Sequence, residues 1–369
     1  MPDRERILQA LKSLSKGTRA RMLLGFDAFV DLIVRPIRTG SAIYPESYYE
    51  RMESLGRFMI ERSGRNGSLE LDIMRRKLGG NAPNVAAALE CFGVSADLIG
   101  PFGEEEVDPV FRRLEERGRL FSTGNPGLSY ALEFADGKIF LAMNEGNNFI
   151  GWDLIRRRVG LERLLELARA SSLIFLVNWS ELPDATSIFR GFLEEILPAL
   201  ERRLPLVVDL ADCTRKGIPQ LLELLQVIRS MAALAEVTLS LNQNESDRVC
   251  RALRVPIERS EPERAMLVRE DLGIAAVAFH RRDESHLATA AGCCSRRTIL
   301  NRPVLLTTGA GDNFNAGLGL GSLLGLPPAD RLFLAGMVSG HYVERGTNAS
   351  LPELIRYIHD MWVHEERQR

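Results

Sequence analysis

Five cysteines (Cys91, Cys213, Cys250, Cys293 and Cys294) stand at irregular spacing in the 369 residues, and no CxxC pair occurs. That pattern fits neither a zinc ribbon nor a disulfide framework, and the expected compartment is a reducing cytoplasm. The adjacent Cys293 and Cys294 read as strand residues on opposite faces. No apolar run approaches the roughly eighteen residues of a membrane span. The opening MPDRERILQALKSL is charged and amphipathic and has no apolar centre of a secretory signal, so no membrane partner is expected. The five histidines do not cluster; His359 and His364, five apart, do not share a helical face, which excludes a histidine metal centre there. There is no HExxH, GxSxG or GxxxxGK[ST] sequence, so zinc proteases, α/β-hydrolases and P-loop enzymes lose their strongest support. Nor is there a basic excess: Lys and Arg number 47 against 49 Asp and Glu, which argues against a nucleic-acid partner.

What is present is an ordinary folded composition, 45% apolar and 26% charged, long enough for two domains or one large α/β domain. Short apolar runs at 22–26 and 29–34 read as strands, followed by a helical pattern over 44–62 and a loop over 63–67. Pro83 opens a helix, and 96–100 is a further strand. The runs 128–134 and 138–143 flank Asp136-Gly137, a hairpin signal. From residue 151 the pattern is a steady alternation. Helices over 153–170, 184–202, 218–232 and 262–271 lead to strands over 173–177, 206–210, 237–241 and 274–279. Continuous apolar strands between amphipathic helices imply βαβ units and a buried parallel sheet. Helices near 312–325, 328–345 and 351–365 close the chain. The expected architecture is a single doubly wound α/β domain over 1–369, with a small β-rich element from about 29–37 and 128–143 and an insertion over about 38–75.

Four segments carry candidate chemistry. Thr307-Thr308-Gly309-Ala310-Gly311-Asp312 follows the apolar run 304–306, read as a strand, and leads into a helix rich in small residues. A glycine turn at a helix start offers backbone N–H groups to an anion. A carboxylate beside that nest suits phosphoryl transfer to an alcohol: the nest holds the developing charge and Asp312 accepts the hydroxyl proton. The plainer alternative is that Asp312 only caps the helix. Gly79-Gly80-Asn81-Ala82-Pro83-Asn84 is either loop chemistry or a binding loop that brings backbone and two amides to a polyhydroxylated ligand. Asn242-Gln243-Asn244-Glu245 follows a parallel strand at its carboxyl end, where open α/β sheets bind ligands; it is either a helix cap or a holder of hydrated Mg²⁺. Gly25-Phe26-Asp27-Ala28-Phe29-Val30-Asp31 places two acids after a strand end, as hydroxyl acceptors or as a surface turn.

In their joint order these segments resemble the ribokinase-like (PfkB) carbohydrate kinase family. GGNAPNVAAAL is similar to its first signature and TTGAGDNFNAG to its second, over about residues 21–352. The resemblance implies a ribokinase-like fold with a small β-rich lid, ATP-dependent phosphorylation of a hydroxyl on a small sugar or sugar acid, and Mg²⁺. It implies Asp312 as base and Gly309, Ala310 and Gly311 as anion hole. Asn242 and Glu245 would organise phosphate and Mg²⁺, with Glu245 acting through water. Asp27, Asp31, Gly80, Asn81, Asn84 and Asn144 would be substrate contacts, and lid-mediated homodimers are common in the family. Three features depart from the pattern. Leu306 stands where many members carry an Asp that helps bind an activating monovalent cation, so that cation is left open. His280-Arg281-Arg282 replaces the expected Thr-x-Gly near the nucleotide, and an Asn near 336 is replaced. The competing readings are a nucleoside kinase, with Phe26, Phe29 and Trp179 available to stack a base, and a non-catalytic sugar- or nucleotide-binding regulator on the same fold.

Overall fold

The computed structural model describes residues 2–14, 20–38 and 47–368. In chain order, helix α1 (Arg4–Leu14) precedes strands β1 (Arg21–Gly25) and β2 (Phe29–Ile37), helix α2 (Met52–Glu61), strand β3 (Glu70–Gly79), helix α3 (Asn81–Glu90) and strand β4 (Ser95–Gly100). Strands β5 (Arg119–Ser122), β6 (Gly127–Phe134) and β7 (Gly137–Met143) follow, then helices α4 (Glu145–Asn148), α5 (Trp152–Val159) and α6 (Leu161–Ala170). Next come β8 (Leu173–Leu176), α7 (Ala185–Gly191), β9 (Pro205–Asp209), α8 (Ile218–Met231), β10 (Glu236–Asn242), α9 (Gln243–Ala252), α10 (Glu261–Leu272) and β11 (Ala276–His280). The chain ends with β12 (Glu284–Thr289), β13 (Gly292–Arg297), α11 (Ala310–Leu323), α12 (Pro328–Arg345) and α13 (Leu351–Gln368).

Among the described residues the main sheet has nine strands in the order β13-β12-β11-β10-β9-β8-β1-β4-β5. It is parallel except for the β12–β13 hairpin at one edge. Alternate residues of each parallel strand feed two separate cores, as a period of two requires. Leu23, Ile174 and Leu206 pack with α5 to α10 on one face. Met22, Leu24, Leu173, Phe175 and Val207 pack with α1, α3, α11, α12 and α13 on the other. Helices cover both faces, so the strands read as unbroken apolar runs. Strand order reverses at β1, which pairs with β4 on one side and β8 on the other. Open α/β sheets bind ligands beyond the carboxyl ends of strands at such a point.

A second sheet runs β3-β2-β6-β7. It contains the expected segments 29–37 and 128–143, and it gains β3, which falls partly inside the segment read as an insertion. Helix α2 covers one face through Leu55, against Val34, Tyr49 and Leu132. The helix expected over 44–62 is shorter than its pattern. Residues 44–46 lie outside the described residues, Tyr48 bridges to Ile37, and α2 begins where the Asp136 carboxylate of the hairpin turn accepts from Met52 N–H at 2.7 Å.

Other expectations are corrected as well. The helix over 153–170 breaks at Gly160, whose φ of 86° no helix accommodates. The helix over 184–202 becomes α7, a π turn (Phe192–Ile196) and a 3₁₀ turn (Leu197–Ala199). The apolar run 304–306 is not a strand. It lies instead along the end of α12, where Leu305 and Leu306 N–H both donate to Val343 O and Leu305 stays 69% exposed. Among the described residues no helix is long and apolar enough to cross a membrane.

The small residues of α11 are there for packing. A Cβ on Gly319 would lie 2.4 Å from Phe175 Cζ, well inside van der Waals contact, while one on Gly336 of α12 would meet nothing within 4 Å. Gly319→Val is therefore expected to cost about 1–3 kcal/mol by overpacking. Gly336→Ala should instead gain about 0.5–1 kcal/mol from helix propensity. Urea unfolding of the two variants checks this, and equal shifts in the same direction would contradict it.

Candidate active site

The site is built from the carboxyl ends of the strands and the first turns of α3 and α11. Helix α3 begins just after the glycine pair, and its first N–H groups need acceptors. Asp27, two residues past β1, supplies them: its carboxylate accepts from Asn81 N–H at 2.8 Å and Ala82 N–H at 3.0 Å, and from Asn178 Nδ2 at 2.7 Å. Burial pushes the Asp27 carboxyl upward, and these donors pull it back. Both glycines make room for carboxylates. Gly80, at φ 95°, would bring a Cβ to 2.7 Å from Asp27 Oδ2, and a Cβ on Gly79 would overlap the Asp31 carboxylate. Asp27 has no exposed surface, so it anchors α3 from behind and is not placed to meet a ligand.

Asp31 keeps a small exposed edge, 8% of its surface. It sits on β2 opposite Lys77 of β3, with Lys77 Nζ at 4.0 Å. Burial pushes its carboxyl up to about 6, with Lys77 opposing the shift. Asn144 lies at the end of β7 and donates through Nδ2 to Glu181 O at 2.9 Å. Its neighbour Asn147 is fully buried and brackets Ala28, accepting from its N–H at 3.2 Å and donating to its carbonyl at 3.1 Å.

Helix α11 brings Asp312 onto the same cleft. Gly309 turns the chain at φ 87°, and a Cβ there would meet the Tyr342 hydroxyl at 3.0 Å. That hydroxyl donates to Thr308 O at 3.0 Å and fixes the turn from α12. Ala310 N–H donates back to Thr307 O and Asn313 N–H to Gly309 O. Between them, the N–H groups of Gly311 and Asp312 have no acceptor among the described residues, so two donors stand free at a helix N-terminus. The Asp312 carboxylate, 8% exposed, accepts from Asn81 Nδ2 at 2.9 Å on Oδ1 and from Asn84 Nδ2 at 3.0 Å on Oδ2. Burial first and the charge of Asp209 second hold it well above the usual carboxylate range, and the two amides oppose that shift only in part.

Asn242 and Glu245 form the capping box of α9, the plainer of the two readings made for them. Glu245 N–H donates to Asn242 Oδ1 at 3.1 Å, while Asn242 donates from its backbone N–H at 2.9 Å and from Nδ2 at 2.5 Å to the Glu245 carboxylate. Glu245 is 2% exposed. Burial and the charge of Asp209 hold its carboxyl well above the usual range, with Asp212 and Asp312 adding to the shift.

Several residues of the cleft were not foreseen. Asp209 ends β9, accepts from Ala211 N–H at 2.9 Å and Asn315 Nδ2 at 2.6 Å, and is pushed up to about 6 by burial. Asn178 follows β8 in the same way. Both are polar residues directly after apolar strands, the signal that singled out Asn242. The aromatics available to stack a base are absorbed by the core: Phe26 packs edge-on against Phe192, Trp179 donates from Nε1 to Thr186, and neither is accessible.

Beside the free N–H groups lies a cavity of about 510 Å³. Ala310 and Gly311 reach it, and four arginines (Arg281, Arg282, Arg296 and Arg297) line it, together with His280 stacked on Phe314 at 4.8 Å. Burial lowers His280 to about 4, so the ring is neutral. Among the described residues no three acids, histidines or cysteines converge to cage a metal ion. This donor set suits Mg²⁺ held mainly by phosphates, an ion that keeps several waters and takes one or two carboxylates from the protein.

Residues 4–361 match the family model for prokaryotic ketohexokinase. The chain belongs to that family. It is 29% identical over 343 residues to the ketohexokinase of Haloferax volcanii, covering 90% of this chain and 89% of that one. A shorter stretch of 90 residues, 22% of this chain and 30% of the relative, is 34% identical to an ATP-dependent ribose-1-phosphate kinase of Halopiger xanaduensis. Among solved structures, ribokinase from Arabidopsis thaliana, complexed with ribose and ATP, superposes with a TM-score of 0.64 at 17% identity, covering 93% of this chain and 98% of that one. Phosphofructokinase-2 from Escherichia coli in complex with substrates and products gives 0.63 at 14%, over 92% and 99%. The fold is thus ribokinase-like, and membership in the ketohexokinase family makes the chain a carbohydrate kinase, which removes the non-catalytic reading.

The Asp27 cap is the site's most testable structural element. Asp27→Ala strands three donors, two of them in buried hydrogen bonds, and leaving a buried donor without an acceptor costs about 1–3 kcal/mol. A loss of about 2–4 kcal/mol in unfolding free energy is expected from denaturant titration. A loss under about 0.5 kcal/mol, the range of neutral surface changes, would contradict the anchoring role.

Proposed function

We propose that the chain transfers the γ-phosphoryl group of ATP to a hydroxyl of a small sugar, a ketohexose in the sense of its family's name, with Asp312 as the base. The observation that carries this reading is the double amide clamp on Asp312 directly beside two unsatisfied N–H groups. A carboxylate so placed can take a proton from an acceptor hydroxyl while the adjacent nest receives the phosphoryl oxygens. The hydroxyl oxygen forms the new P–O bond, its proton goes to Asp312, and the bond to the leaving diphosphate breaks to release ADP. Desolvation raises the carboxyl, and a base of raised pKa is a stronger proton acceptor near neutral pH.

Asp31, Asn81 and Asn84 hold and orient the sugar from the cleft side, and Gly80 lets the backbone approach it. Asn144 keeps one amide oxygen buried and without a partner, which leaves it able to accept from a sugar hydroxyl. The cavity beyond Gly311 takes the nucleotide, its arginines replacing the Thr-x-Gly that other ribokinase-like chains carry. Mg²⁺, when bound between phosphates, neutralises their charge. Glu245, through water, and Asp209 are the carboxylates that would steady it, since each repels the other until a cation arrives. The burial of Phe26 and Trp179 favours a sugar over a nucleoside acceptor.

Asp312→Asn keeps the shape and removes the base. It is expected to lower kcat by about 10²–10⁴-fold, the range of a general base, while ATP and sugar binding measured by calorimetry stay within about threefold. Near-wild-type turnover in a coupled ADP-release assay would remove Asp312 from that role.

A further inference from the structure

Side chains of α12 hold the turn that opens α11 by the carbonyl ends of its peptides. The Tyr342 hydroxyl donates to Thr308 O at 3.0 Å, and Ser339 Oγ, three residues earlier on the same face of α12, donates to Ala310 O at 2.9 Å. Between them, Gly309 O accepts from Asn313 of α11 through both its backbone N–H and Nδ2, each at 3.0 Å. Three successive carbonyls of the turn are therefore taken by protein donors, two of them from a different helix.

A trans peptide is planar and its N–H points opposite to its C=O, so a grip on one end sets the direction of the other. The Ala310 carbonyl shares its plane with the Gly311 N–H, and the Thr308 carbonyl with the Gly309 N–H. Neither N–H has an acceptor among the described residues, and Gly311 borders the 510 Å³ cavity. The peptide between these two is the opposite case: its N–H, on Ala310, is used by Thr307 O at 3.1 Å, and its carbonyl is held from within α11. The two hydroxyls of α12 thus grip the two peptides whose donors are free.

Such a reach is unusual for a helical serine. Ser230 of α8 and Ser322 of α11 each donate to the carbonyl four residues earlier in their own helix. Ser339 crosses to α11 instead, which needs the two backbones close together. Gly317 allows this, since a Cβ there would lie 2.7 Å from Ala335 Cα of α12. Burial pushes the Tyr342 hydroxyl up to about 12, so it stays protonated and a donor at neutral pH.

We infer that Ser339 and Tyr342 are positioning residues for phosphoryl transfer: each hydroxyl fixes a peptide so that its N–H meets a phosphoryl oxygen as charge develops there. This rests on the kinase reading above and extends it to two residues outside the glycine turn. Donors already aimed at developing charge need no reorganisation during the reaction. A loosened peptide loses that advantage in the transition state, so the loss falls on kcat.

Ser339→Ala and Tyr342→Phe each remove one hydroxyl and keep the rest of the side chain. With fructose as the ketohexose in a coupled ADP-release assay, kcat is expected to fall at least about fivefold in each variant. That is less than the roughly 10²–10³-fold loss on deleting such a donor outright. The KM for fructose should stay within about twofold of wild type, because the sugar contacts lie on α3 and the second sheet. A purely structural role would lower the melting temperature without moving kcat. A fall under about fivefold in either variant, or a rise in fructose KM as large as the fall in kcat, would overturn the inference and leave the kinase reading intact. If the wild type phosphorylates no sugar, the kinase reading fails on its own. Calorimetric binding of tripolyphosphate then decides the role of the two hydroxyls: at least about fivefold weaker binding to Tyr342→Phe supports it, and any smaller change overturns it.

Discussion

Two amide groups on the first turn of α3 grip a carboxylate on the first turn of α11, 231 and 228 residues further along the chain. The first turns of the two helices meet at that contact. Each helix start carries an aspartate, but the two are used differently. Asp27 lies behind α3 and is consumed by its N–H groups, so α3 is fixed and Asn81 and Asn84 point outward. Asp312 lies inside the turn of α11, where the amides take one face of each oxygen and the helix N–H groups beside it stay free. Tyr342 locks the intervening turn by bonding Thr308. Gly79 and Gly80 are needed because both neighbouring carboxylates press against the backbone there.

The cleft concentrates negative charge at a cost. Asp31, Asp209, Glu245 and Asp312 are all held above their usual range, chiefly by burial; Asp209 adds to the shifts of Glu245 and Asp312, and Asp27 to those of Asp31, Asp209 and Asp312. Folding alone gains nothing from such an arrangement. Between the unfolded carboxylate range near 4 and the raised values near 6 of Asp31 and Asp209, the folded state binds more protons than the unfolded one. Stability from these two groups therefore falls as pH rises through that window. Cations stand nearby: four arginines line the cavity beside Gly311.

Much of this was legible in the chain. The alternation from residue 151 to 280 is plain because strands buried on both faces are continuously apolar and their helices are not. The order of the glycine pair, NxxE and GAGD placed the ends of three elements on one edge of the sheet. Strand β3 was missed because its outer half, Glu70 to Arg76, is largely exposed and its pairing with β2 is a tertiary event. Residues 304–306 misled in the opposite sense: they are apolar, but the N–H groups of Leu305 and Leu306 are taken by the end of α12 and not by a neighbouring strand. Asp27 and Asp31 look equivalent in sequence, four residues apart after one strand. The fold separates them: Asp27 is taken up by the N–H groups of α3, while Asp31 stands on β2 opposite Lys77. Asn242 and Glu245 illustrate a further limit, since the spacing that caps a helix is the same spacing proposed to steady a metal.

The central claim is that Asp312 is a desolvated carboxylate of raised proton affinity held by Asn81 and Asn84. Its most direct test is a carbon NMR titration of the Asp312 side-chain carboxyl in the ligand-free protein, assigned by comparison with Asp312→Asn. The account predicts a midpoint clearly above the ordinary aspartate value near 4. It also predicts a further upward move in Asn84→Ala, because that substitution removes a hydrogen bond that favours the charged form. A midpoint at or below about 4, or one unmoved by Asn84→Ala, would contradict it.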